Sequence, residues 1–355
     1  MDGLFHLQDL NRPDKRKGCL KRIRIKNIFH YTDVFPLYRK LPDTRSLAIL
    51  RTLSYFDIFH YPLNAQEILQ FSERNIAAVN LPALLEDLRE RGLIWQFGTF
   101  YTLRNDISLA TRRVQGNELA ATKLRKAQEV GRFLYRFPFV TGVGISGSLS
   151  KNYAEKGCDF DFFIITQANR LWIARTIMHV MKKFSYLLGR QHWYCMNFYV
   201  DEAQLSLPDQ NIFAAIECKT LLPVAGRNAM EAFRSANAWA DDHLPAASWR
   251  MAEKPDPQKG LLSNMTAALL DRLGPERLNQ FLFRITSRRW QLKKSRAQKN
   301  VKGIPVDLIT GIHVARSNPG NFQEKVLEQY KIKVQEAETA FIRSAEPVRI
   351  CAAVK

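Results

Sequence analysis

Between Ser46 and Leu103 the apolar positions recur first with a helical period and then with the period of a strand. LAILRTLSYF has helical spacing. A second short helix is predicted after Asn64, which can cap it, with Glu67 three residues on in a capping-box arrangement. Asn80 precedes LPALLEDLRERG, where Pro82 suits a first turn, Leu84, Leu85 and Leu88 line one face, and Gly92 stops the helix. The runs LIWQF and FYTL, joined around Gly98-Thr99, predict a β-hairpin. Three helices followed by a hairpin is the order of a winged helix.

The pattern then changes. A connecting helix, NELAATKLRKAQEVGRFLYRF, ends at Pro138, and strand-like runs FVTGVGIS, DFDFFIIT and HWYCMNFYV alternate with helical ones. Such interleaving predicts a layered α/β core rather than a bundle. Beyond Gly226 no further strand is expected; LLSNMTAALLDRLG and NFQEKVLEQYKIKVQEAETAFI read as amphipathic helices. The expected organisation is a basic leader (1–44), a winged-helix-like module (45–105), an α/β core (106–225, with its connecting helix at 111–137) and a mostly helical C-terminal domain (226–355).

Charge alters this picture in one respect. The 355 residues carry a formal net charge of +19, which favours a polyanionic or phosphate-bearing partner. Yet residues 46–103 hold six acids against four arginines, so the winged-helix-like module is poorly equipped for DNA phosphates and reads as a packing or interaction module. The positive charge lies in two tracts. Residues 12–26 are either a polyanion-binding arm or a solvated leader. Residues 284–302, with Arg288, Arg289, Lys293 and Lys294 around Trp290, suit nucleic acid or another phosphate-bearing acceptor. The five scattered cysteines form no CxxC pair, no run of about 18 apolar residues suggests a membrane span, and no signal peptide is evident, so a cytoplasmic protein is expected.

Candidate chemistry concentrates in 139–166. An apolar strand runs into Gly147-Ser148 and a helix start, where backbone N–H groups suit a phosphate and glycine permits its close approach. Lys151 could add positive charge there. Ten residues separate Ser148 from Asp159, and Asp161 follows two further on in a strand, so both carboxylates share one face. Paired hard oxygen ligands suit Mg²⁺ or Mn²⁺, with phosphate oxygens completing the shell.

Gly147-Ser148, a short spacer, and Asp159-Phe160-Asp161 in an apolar strand together resemble the signature of the DNA polymerase beta-like nucleotidyltransferase superfamily, over about residues 139–224. The resemblance implies that Gly147 and Ser148 hold a nucleoside triphosphate and that Asp159 and Asp161 bind metal. It also implies that a hydroxyl acceptor attacks the α-phosphate as pyrophosphate leaves. The family places a third carboxylate in the middle of a later strand. Here Asn197 occupies that place, while Asp201 and Glu202 fall near the strand's end and are the remaining candidates. The alternatives are a degenerate nucleotide- or nucleic-acid-binding regulator of the same fold, and a DNA-binding regulator whose α/β part senses nucleotide.

Overall fold

The computed structural model describes residues 43–345 apart from 188, 190, 253, 297, 300–302, 304 and 306; the basic tract 12–26 and Lys302 lie outside the described residues. Helix α1 (Thr44–Asp57) starts at Asp43, whose side chain accepts from the backbone N–H of Arg45. Strand β1 (Leu63–Asn64) leads into α2 (Ala65–Phe71) through a complete capping box. Asn64 Oδ1 accepts from Glu67 N, and Glu67 accepts from Asn64 N. A single 3-10 turn precedes α3 (Leu81–Glu90), which buries Leu81, Leu85 and Leu88 and leaves Leu84 half-buried. On its outer face Glu86 pairs with Arg89 and Asp87 with Arg91, so its charges satisfy one another. The hairpin β2 (Trp95–Phe97) and β3 (Phe100–Thr102) takes up β1 as well, making a small antiparallel sheet in the order β1-β3-β2.

Helix α4 (Ile107–Tyr135), 29 residues long, carries the chain to the central sheet. There β4 (Val140–Ile145), α5 (Gly147–Ser150), β5 (Asp161–Thr166), α6 (Leu171–Leu187), β6 (Cys195–Asp201), α7 (Ile212–Thr220) and β7 (Leu222–Ala225) follow in turn. Helices α8 (Arg227–Ala236), α9 (Ala240–His243), α10 (Leu261–Arg272) and α11 (Pro275–Ser295) come next, then β8 (Leu308–Thr310), β9 (Val314–Ser317) and α12 (Phe322–Ser344). The six strands form one mixed sheet in the order β7-β4-β5-β6-β9-β8. Only its β5–β6 pair is parallel, and α6 supplies the crossover that a parallel pair requires. The protein is thus a mixed α/β structure.

Two expectations are corrected. Strands do occur beyond Gly226: β8 and β9 extend the sheet past β6. With three and four residues around Gly311 they are too short to display a period, and their strand state comes from pairing with β6. The second correction concerns β5, which begins at Asp161, so Asp159 stands in the approach to the strand rather than within it.

All six β5 residues are buried. Phe163 and Ile165 face a core shared with α1, α2, α3 and α12, whereas Phe162 and Ile164 face one built by α4 and α6, against which α11 packs. The C-terminal region therefore serves both faces of the molecule. Its last described helix lies along α1, fastened by Arg51–Glu338 (2.6 Å), Lys333–Asp57 (2.6 Å) and the Tyr330 hydroxyl donating to Glu73 (2.6 Å).

Candidate active site

The site lies where β4 ends and β5 begins. The two strands are antiparallel, with Ile145 opposite Phe162, and Ser146 N donates to the Asp161 carbonyl at 2.9 Å. That bond fixes the turn at Gly147 directly against Asp161. Gly147 has φ +69°, a left-handed conformation that favours glycine. A Cβ placed there would stand 2.5 Å from Asp161 Oδ2. Both facts demand glycine, and they set the turn in direct contact with the Asp161 carboxylate. The helix that follows is a single turn, and Ser148 within it is buried.

Asp159 and Asp161 are both buried, and each carboxylate accepts from a side-chain donor. His192 Nδ1 donates to Asp159 Oδ1 at 2.6 Å from a ring that is 56% exposed. Asn197 Nδ2 donates to Asp161 Oδ1 at 2.5 Å. Asn197 reaches Asp161 because the β5–β6 register slips there: Phe162 pairs with Met196 but Phe163 with Phe198, leaving Asn197 as the extra residue of a bulge. Burial pushes the Asp161 carboxyl up to about 7; Glu217 adds to the rise, while Cys195 and Lys182 oppose it. A carboxylate kept this dry favours a partner that removes its negative charge.

The other predicted residues are distributed differently. Lys151 Nζ is engaged by Glu217 (2.7 Å) and the Gly147 carbonyl (3.2 Å), so it buttresses the turn from below. The Tyr61 hydroxyl donates to the Lys151 carbonyl, tying the N-terminal helices to the same turn. Asp201 pairs with Thr166, five residues along β5 from Asp161, which is roughly 16 Å at strand rise. It is fully buried, and its oxygens accept from His313 Nδ1 (3.0 Å), Asn169 N (2.9 Å) and Ala203 N (3.1 Å). Glu202 is exposed at that same far end. The structure thus sets Gly147 against Asp161, with Asp159 two residues ahead of it on the approach to β5, and leaves Asp201 and Glu202 at the far end of the strand pair. On α11, Arg288, Arg289, Lys293 and Lys294 are exposed; Lys294 meets Asp307, and Lys293 lies 4.7 Å from the Trp290 ring centroid.

His192 and Glu217 contact the predicted residues, although no local sequence pattern marks either for that place. Their signal lies in the β5–β6 pairing, which sets the residues before β6 beside those before β5, and in α7, which carries Glu217 to Lys151. Beside Gly147 and Ser148 opens an apolar cleft walled by Tyr55, Phe56, Phe59, Tyr61, Phe213 and Phe322. Its volume of about 20 Å³ holds roughly one water.

Among the described residues no cluster of three or more His, Cys, Asp or Glu side chains could cage a metal ion. Two carboxylates with waters and phosphate oxygens are nonetheless an ordinary Mg²⁺ donor set. Asp159 and Asp161, two buried carboxylates two residues apart, are of the right chemical type for that role. Comparison of the chain with family models, with curated proteins and with solved structures returns no match in any of the three.

Proposed function

We propose that this protein is a metal-dependent nucleotidyltransferase of the DNA polymerase beta-like type, with a winged-helix module ahead of its catalytic core. The observation that carries the reading is the left-handed Gly147 turn packed directly against the Asp161 carboxylate, with Asp159 two residues earlier and equally buried. Gly147 and Ser148 would receive the triphosphate, while Asp159 and Asp161 would hold Mg²⁺ or Mn²⁺ shared with its oxygens. The bound cation supplies charge neutralisation for transfer of a nucleoside monophosphate to a hydroxyl acceptor, with pyrophosphate leaving. Lys151 and Glu217 keep the turn in place, and His192 and Asn197 orient the two carboxylates. The exposed arginines and lysines of α11 support a phosphate-bearing partner. Buried, unpaired Cys158, Cys195 and Cys218 agree with a reducing cytoplasm.

A second reading has its own observation. Asn197 stands beside Asp161 where the family keeps a carboxylate, which favours a protein that binds nucleotide without transferring it. One set of measurements separates the two. Mg²⁺ or Mn²⁺ with a nucleoside triphosphate should raise the melting temperature, by the equivalent of about 2.7 kcal/mol at a hundredfold excess over Kd. Asp159→Asn with Asp161→Asn should abolish the gain, and an undiminished gain in that double variant overturns the site. Pyrophosphate release in the parent then identifies the enzyme; stabilisation without release identifies the binding protein.

A further inference from the structure

The α10–α11 hairpin carries an apolar surface that the fold does not bury. On α10, Leu262, Met265 and Leu269, with Leu273 at its C-terminal end, recur at helical spacing and are 60–82% exposed. Leu261 beside them is 80% exposed, and Phe281 on α11 is 57% exposed. The inward positions, Ala267 and Leu270 of α10 and Leu278, Leu282 and Phe283 of α11, already pack against the core. The hairpin is thus apolar on both sides. Single exposed leucines need no explanation, but a continuous row does.

Charge says what kind of partner fits. Residues 261–296 hold eight Lys and Arg against only Asp271 and Glu276. Both acids are already engaged by Arg170, at 3.2 and 2.8 Å. On α11, Arg277, Phe281, Arg284 and Arg288 fall four, three and four residues apart, and all are exposed, forming one stripe of three arginines and a phenylalanine. A second copy docking isologously would press this stripe against its own arginines. Nucleic acid would use the arginines and gain nothing from aliphatic side chains. An acidic protein would need a pocket for each leucine, whereas side chains this exposed stand proud of the surface. A bilayer with anionic headgroups takes both features, phosphates for the arginines and an acyl boundary for the leucines.

We propose that the α10–α11 hairpin docks peripherally on an anionic lipid surface. Leu262, Met265 and Leu269 enter the headgroup–acyl boundary, and Arg277, Arg284 and Arg288 meet lipid phosphates. No spanning is involved: no helix among the described residues is long and apolar enough to cross a membrane. The inference is independent of the nucleotidyltransferase reading, since none of these residues lies at the Asp159–Asp161 site.

Sedimentation of the full chain with vesicles tests it, using phosphatidylcholine alone against phosphatidylcholine with 30% phosphatidylglycerol (about 0.15 M salt). Binding is expected on the anionic vesicles only. Arg277→Gln, Arg284→Gln and Arg288→Gln together should weaken it roughly a hundredfold, at about fivefold per charge. Leu262→Asp with Leu269→Asp should abolish it while leaving the melting temperature unchanged, because both side chains are exposed. Failure to bind anionic vesicles overturns the proposal, as does equal binding to both vesicle types. Binding that survives the leucine variant overturns it too. Tight binding of the parent to single-stranded RNA, unaffected by the leucine changes and without vesicle binding, would assign the surface to nucleic acid. A concentration-dependent dimer lost in the leucine variant, again without vesicle binding, would assign it to a second copy.

Discussion

Asn197 donates its amide to Asp161 at the one point where the β5–β6 register slips, so the bulge delivers an uncharged group to a buried carboxylate. Asn197→Asp tests what the neutral side chain does. Without a cation, two carboxylates would face each other in a buried site, and the variant should melt several degrees below the parent in EDTA. With Mn²⁺ it should recover more than the parent gains. Melting curves with and without metal decide the matter, and an equal metal response in the two proteins would show that the bulge does not face a cation site.

The raised pKa of Asp161 makes a prediction of opposite sign. The carboxyl titrates at about 7 in the fold, against an ordinary value of 3.8, so the folded state holds its proton over that interval more tightly than the unfolded chain. Its presence is therefore harmless near pH 4 and increasingly destabilising as pH rises toward 7, where the cost levels off. Asp161→Asn keeps an oxygen for Asn197 and should raise the melting temperature of the ligand-free protein above pH 7. The difference should shrink toward pH 4. A variant less stable than the parent at pH 8 would refute this account.

Gly147→Ala combines two penalties. Left-handed backbone costs a non-glycine residue about 1–2 kcal/mol, and the new methyl would also strike Asp161 Oδ2. We expect a loss of about 3 kcal/mol in denaturant unfolding and no stabilisation by metal and triphosphate. Asp161→Ala removes the collision, so the double variant should lose less than the sum of the two changes.

Asp57 probes the clasp between α1 and α12. Burial alone would push its carboxyl up, but Arg104 and Lys333 outweigh that and hold it below the ordinary value. A depressed pKa stabilises the fold above about pH 4 and loses this contribution as acid takes the folded group through its own pKa. Asp57→Asn should accordingly cost about 3 kcal/mol at neutral pH. In unfolding curves recorded from pH 7 to pH 3, the gap to the parent should narrow at the acid end.

The elements that carry their own signal were legible in the sequence. The Asn64–Glu67 box and the apolar run Phe162–Ile165 follow from local pattern, as do Leu85 and Leu88 on the inner face of α3, where Leu81 takes the deeper place expected of Leu84. Gly147 lies against Asp161 for a related reason, since the antiparallel β4–β5 pairing ends beside both. What escaped depends on partners distant in the chain. β8 and β9 exist because β6 offers an edge, His192 reaches Asp159 through the parallel register, and Lys151 is turned from solvent by Glu217, 66 residues on. Asp201 and Glu202 could not be separated from the site without knowing that β5 and β6 run side by side from Asp161 to Thr166.

The clasp between α1 and α12 also bears on how the chain is made. The N-terminal helices share their core with Phe322, Val326 and Phe341. About 280 residues separate Asp57 from the end of α12, roughly 15–60 s of synthesis at ~5–20 residues per second. During that interval the earliest part of the protein emerges with an apolar seam that only its latest part can close. A shorter delay applies to β6, whose outer edge waits for β9. Nascent chains of this protein should therefore engage a general chaperone at the ribosome, and release it only once α12 has cleared the exit tunnel.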